Sequence, residues 1–169
     1  MIARHHMEVA AATCVPLSAM ATSHGTNPVI TLAGCVMFVA ASVLPDADDP
    51  GTLASKWLRL PGEHRTWTHA IWVPALLLWA GTVLWPLTWF GGGWLCHVLC
   101  DSLSRAGVCW LWPLQRYVRY PNGAFVADGH RYKFYKTGRD SVSERVVTTT
   151  LVVALVTLGV VLWIRTAKT

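Results

Sequence analysis

Three stretches of this chain carry no charge over lengths that approach or reach a bilayer crossing, and they restrict the folds open to it. Val146 to Ile164 is a clean apolar run, Ala70 to Phe90 is uncharged throughout although Pro74 and Pro86 can kink it, and Val29 to Leu44 ends at Pro45. A membrane-crossing helix needs roughly 20 mostly apolar residues, since each residue advances about 1.5 Å through a hydrocarbon layer about 30 Å thick. Backbone groups in that layer find no water, so the runs must be helical. Composition agrees: 53% hydrophobic, 14% charged and a mean hydropathy of +0.40 in 169 residues are too oily for an ordinary soluble domain and suit one compact membrane domain.

The remaining segments fall around these runs. Residues 6 to 23 read as a first helix; the basic start and small apolar residues resemble a signal peptide, but Glu8 and Pro16 interrupt its core and favour retention. Val29 to Leu44 gives a second helix and Ala70 to Phe90 a third. The three glycines at 91 to 93 read as a tight reversal before an amphipathic fourth helix from Trp94, broken near Gly107. Residues 115 to 145 are basic and aromatic, with turn signals at PNG and TGRD, and the alternation of HRYKFYK (130 to 136) suits a short strand or hairpin. The expected architecture is all-α: a polytopic membrane bundle of four to five helices with a short cytoplasmic, hairpin-forming segment near 115 to 145. A single domain spans 1 to 169, with its core at 5 to 145 and a C-terminal transmembrane helix at 146 to 164.

Ten tryptophans, several flanking the apolar runs, fit the bilayer interface, where an indole has both an apolar body and a polar N–H. Cys14, Cys35, Cys96, Cys100 and Cys109 form no CxxC pair and read as buried thiols rather than a disulfide framework or zinc knuckle.

If the helices alternate in direction, the N-terminus, the 45 to 68 loop and the 105 to 145 segment share one side. That side then holds twelve of the fourteen Lys and Arg residues, with only Arg165 and Lys168 opposite. By the positive-inside rule it is cytoplasmic. The net charge of +5 fits attraction to an anionic lipid surface, and membrane-length helices make nucleic acid the weaker partner.

The same side gathers the metal-type side chains. His5 and His6 begin the first helix, LPDADDP (44 to 50) closes the second with Asp46, Asp48 and Asp49, HRTWTHA (64 to 70) opens the third, and HVLCD (97 to 101) lies on the fourth. Each has a plainer reading. An i, i+4 His/Asp pair is common without metal, an acidic turn can be a solvated cap, and Thr68 can cap the third helix. Three carboxylates directly after an apolar helix nonetheless repel one another and lose hydration unless a cation is near. Mixed imidazole and carboxylate donors suit zinc, manganese or iron, and a surplus over four suggests two or three ions, whose usual chemistry is phosphoester hydrolysis.

The ordered set of an N-terminal histidine, LPDADDP, HRTWTHA and GWLCHVLCDSLSRAGVCWLWP resembles the YdjM-like family of bacterial inner-membrane proteins described as metal-dependent hydrolases. That family is distantly similar to zinc-dependent phospholipase C and the S1/P1 single-strand nucleases. The resemblance spans about residues 5 to 145 and implies metal ligands at His6, Asp46, His69, His97 and Asp101, with Asp48, His64 and Glu144 as further ones; His5 competes with His6. Asp49 stands where members often have a histidine, and HRTWTHA replaces HRGxTHS. The expectation is a hydrolase binding two or three zinc ions, or manganese or iron, with Asp46, Asp48 and Arg65 catalytic. It would cleave a lipid or lipid-linked phosphate at the cytoplasmic face of the inner membrane. The rival is a non-catalytic membrane scaffold with a structural metal site.

Overall fold

The computed structural model describes residues 1–52, 54–119, 125–128 and 141–167. Among them the chain is mostly helical, with five α-helices and one two-stranded sheet: α1 Ala3–Ser23, α2 Pro28–Ala41, α3 Trp72–Gly81, α4 Trp85–Ser102, β1 Tyr117–Arg119, β2 Phe125–Ala127 and α5 Val142–Thr166. The strands pair antiparallel with Val118 opposite Val126. This pair lies within the 115 to 145 segment; HRYKFYK, on which the strand or hairpin is expected, and PNG and TGRD fall outside the described residues.

Local chemistry sets the helix ends. The Asn27 side chain accepts from Val29 N at 2.8 Å, and Pro28 sits in the first turn, where its missing N–H has no intrahelical role. At the other end of α2, Pro45 cannot donate to a continuing helix, and the backbone tightens into a 3-10 turn over Leu44–Asp48. Ser141 caps α5 by accepting from Glu144 N at 3.2 Å. Two segments are long and apolar enough to cross a membrane by length and composition, α2 taken on through its 3-10 turn, Pro28–Asp48, with mean hydropathy 2.0, and α5, Val142–Thr166, with 2.4.

The third expected helix is corrected. Ala70 to Phe90 is not one span: α3 is only ten residues long, the chain reverses at residues 82 to 84, and Pro86 starts α4 instead of kinking its predecessor. The glycines at 91 to 93 do not form the reversal but lie inside α4. A Cβ on Gly93 would stand 2.1 Å from the Phe38 carbonyl oxygen, and one on Gly91 2.9 Å from Leu78 N. The missing side chains let α4 approach α2 and α3 closely, and that packing outweighs the turn preference of glycine. The fourth helix likewise ends at Ser102, well before the expected break near Gly107.

In space α1 contacts α5, α2 and α4, while α4 also contacts α2 and α3. Apolar packing forms two groups, one around Ala10, Cys14 and Phe38, the other around Trp94, Val98 and Val108. The five cysteines are free, with Cys14, Cys100 and Cys109 buried. The starts of α1 and α5 and the ends of α2 and α4 come together, linked by contacts of His5 with Glu144, His6 with Asp101 and His97 with Ser42.

Candidate metal centre

Four buried side chains from three separate sequence motifs meet at that end. Asp46 comes from the 3-10 turn after α2, His69 from a short 3-10 turn over Trp67–His69, and His97 and Asp101 from successive turns of α4. One ligand-type atom from each lies within 4.8 Å of the others, so the group can hold a metal ion. His69 Nε2 is 3.2 Å from His97 Nε2, 3.7 Å from Asp46 Oδ1 and 3.8 Å from Asp101 Oδ2; His97 Nε2 is 3.4 Å from Asp46 Oδ1.

Neighbouring groups fix which ring nitrogens face inward. His97 Nδ1 donates to the Ser42 carbonyl at 2.7 Å, because a carbonyl can only accept. The Thr68 hydroxyl donates to Asp48 Oδ2, leaving its lone pairs for His69 Nδ1–H at 2.9 Å. Both imidazoles therefore present Nε2 to the other, and two nitrogen lone pairs 3.2 Å apart repel unless a proton or cation lies between them. Burial lowers the His69 pKa to about 4 against the opposing pull of Asp46 and Asp101, so the ring is neutral near pH 7, the form that ligates metal.

The other expected residues fall in a ring around this group. His6 turns inward, its Nε2 3.3 Å from Asp101 Oδ1 and its ring stacked on His97 at 3.8 Å between centroids. Its Nδ1 has no hydrogen-bond partner among the described residues although the residue is fully buried, an unusual and costly state for an imidazole unless a further group completes it. His5 faces Glu144 instead, with Nδ1 2.9 Å from Oε1, which also accepts from Ile2 N at 2.7 Å. Glu144 is thus joined to the start of α1 and is not one of the four clustered residues. His64 Nδ1 is 2.6 Å from Asp48 Oδ1, and Arg65 N donates to Asp48 Oδ2 at 3.1 Å, so Asp48 is engaged by three neighbours of the HRTWTH turn. The Arg65 guanidinium reaches Asp101 Oδ2 at 2.6 Å, and the Met1 amino group pairs with Asp101 Oδ1.

The sequence offered no signal for some participants. The Ser42 carbonyl acts through its backbone, and the Thr68 relay needs a hydroxyl between two motifs that are distant in the chain. Arg65 has a φ of 63°, a left-handed backbone uncommon for any residue but glycine. That twist lets its amide face Asp48 while its side chain faces Asp101.

A protein-family model described as "YdjM inner membrane protein" matches residues 1–168. No curated protein and no solved structure matches the chain.

Proposed function

The chain belongs to the YdjM inner membrane protein family, and from that premise and the buried Asp/His/His/Asp group we propose that it is a metal-dependent hydrolase of phosphoesters. The observation that supports the reading is the convergence of four buried ligand-type side chains, with two Nε2 atoms 3.2 Å apart and both Nδ1 atoms committed elsewhere, a contact that a shared proton or a cation relieves. Asp46, His69, His97 and Asp101 would hold an ion. His6, Asp48 and His64 are near enough to serve a second or third, zinc by preference, manganese or iron by the same donor chemistry.

A bound divalent ion supplies Lewis acidity, making water a better nucleophile near neutral pH and offsetting charge on phosphoryl oxygens. The protein's own groups do the rest. Asp46, whose nearest basic neighbours are imidazoles 3.4 and 3.7 Å away, is placed to take a proton. Asp48 is already engaged by Thr68, His64 and Arg65 N and orients His69. Arg65 is the phosphate clamp, since its planar fork matches two phosphoryl oxygens. On this reading the protein is multi-pass with the centre at the cytoplasmic face, supported by the Lys and Arg residues in the sequence segments that carry the motifs, and its substrate is a lipid or lipid-linked phosphate.

One observation favours the rival, a non-catalytic scaffold: four buried ligands are what a closed structural zinc site uses. Elemental analysis of detergent-purified wild type, His69→Ala and Asp101→Asn, run beside a phosphoester panel, separates the readings. The hydrolase reading expects metal and turnover in the wild type and neither in the variants. Metal without turnover favours the scaffold, and no metal after reloading overturns both.

A further inference from the structure

Beside the cluster, but lined by none of its four ligands, lies a cavity of about 710 Å³ between the HRTW turn and the segment from Ala106 to Tyr117. Resting on the hydrolase reading, we infer that this cavity is the binding site for a phosphate-bearing amphiphile, with Arg65 and Arg116 clamping the anion and Trp112 and Pro113 holding the start of its apolar chain.

Three observations converge on that ligand. The first is charge: Arg65 and Arg116 line the cavity, and Glu63 is the one carboxylate among its described lining residues, so its polar edge favours an anion. Arg65 spans the boundary, lining the cavity while its guanidinium touches Asp101, so an anion held there is brought against the cluster and not to a remote surface. The second is the opposite wall, where Trp112 and Pro113 offer apolar surface and Trp72 Nε1 donates to the Trp112 carbonyl at 2.5 Å, tying that wall to α3. The Tyr117 hydroxyl donates to the Gly107 carbonyl at 2.8 Å, so its ring faces the cavity with its polar atom already satisfied.

The third observation is the continuation of the wall. Leu111 and Leu114, which flank Trp112 and Pro113, are 41% and 82% exposed. In a member of an inner-membrane family such a leucine rim belongs against lipid, so the apolar side of the cavity continues toward the acyl region. The volume lies within the roughly 300–1,000 Å³ of small-molecule sites, enough for a head group and the first part of a chain. A small soluble phosphate would use the arginines and leave the apolar wall and rim unexplained.

The test is calorimetric titration of the full-length, metal-loaded protein in detergent with dodecylphosphonate, whose C–P bond a phosphoesterase does not cleave, and with methylphosphonate. Saturable binding of about one dodecylphosphonate per chain is expected, about tenfold or more tighter than methylphosphonate. Arg116→Gln should weaken it about tenfold, and Ala106→Trp, which fills the cavity, should remove it, with metal content and helical circular dichroism unchanged in both. Equal affinity for the two phosphonates would overturn the amphiphile in favour of a soluble phosphate. Binding unchanged in both variants would mean simple micelle partitioning and overturn the site. Site-specific binding in a protein that turns over no phosphoester sinks the hydrolase reading and leaves this one standing. Turnover unaffected by Ala106→Trp and Arg116→Gln does the reverse.

Discussion

The polar end of the bundle and the outer face of α5 reverse the pattern of a water-soluble protein. At the polar end His6, His69, His97, Asp101 and Glu144 are among the most completely buried side chains, whereas on α5 Val146, Val153, Leu158 and Ile164 lie open. A chain folding in water hides its apolar groups first. Here the apolar groups are left for lipid, and the interior is spent on ion pairs and hydrogen bonds whose removal leaves a partner stranded. The contrast predicts where substitutions should hurt.

Asp101 tests the polar end most severely. Its carboxylate meets Arg65, His6, His69 and the Met1 amino group, so Asp101→Ala strands buried cations and should cost about 3–5 kcal/mol in unfolding experiments in micelles, even without metal. A loss under about 0.5 kcal/mol would mean that water reaches this end, and the contrast would fail.

His69 comes next, through pH. Its pKa is about 4 in the folded protein and 6.5 when free, so between those values the unfolded chain binds more protons. The contribution is therefore complete above pH 6.5 and is lost as pH falls toward 4, about 3 kcal/mol at roughly 1.4 per unit. Metal-free wild type should lose more stability over that window than His69→Gln, and equal slopes would show that the ring is not held neutral.

These partners also show how much could be seen in the sequence. LPDADDP, HRTWTHA and HVLCD were identifiable as motifs, and helix order brought the first two together, because alternating helices bring the end of one beside the start of the next; HVLCD joins them because α4 starts at Trp85 and not at Trp94, which puts His97 and Asp101 near its end. Asp46, His69, His97 and Asp101 meet accordingly. The choice between His5 and His6 was not readable, since both occupy the first turns of α1 and only the position of Glu144 on α5 separates them. Nor was the split of 70 to 90. Proline reads as a kink or as a helix start, and triple glycine as a turn or as a close-packing surface, depending on neighbours that are far away in sequence.

Gly93→Ala examines that second reading. The added methyl meets the Phe38 backbone carbonyl, which cannot swing aside as a side-chain tip does, so α2 and α4 must separate. A cost of about 1–3 kcal/mol is expected, with a lower melting temperature, and metal affinity should weaken too, because Ser42 and Asp46 follow α2 directly. A neutral result would place the α2–α4 crossing farther apart.

The smallest effect is expected on α5, where two positions on one helix divide. Val153 is 59% exposed, so trimming it to alanine removes little protein contact; where lipid surrounds the side chain before and after unfolding, little transfer energy is lost either. Val153→Ala should stay within about 0.5 kcal/mol of wild type. Gly159, six residues on, faces α1: a Cβ there would lie 2.5 Å from Val15 Cγ1 and 2.9 Å from Pro16 N. Gly159→Ala should therefore be the more damaging change even though alanine is the better helix former, because intrinsic propensity favours it by only about 1 kcal/mol and the contact is with backbone as well as side chain. Paired unfolding measurements in which Val153→Ala proved the costlier change would mean that the open face of α5 packs against protein and not lipid, a second copy of the chain being the nearest candidate.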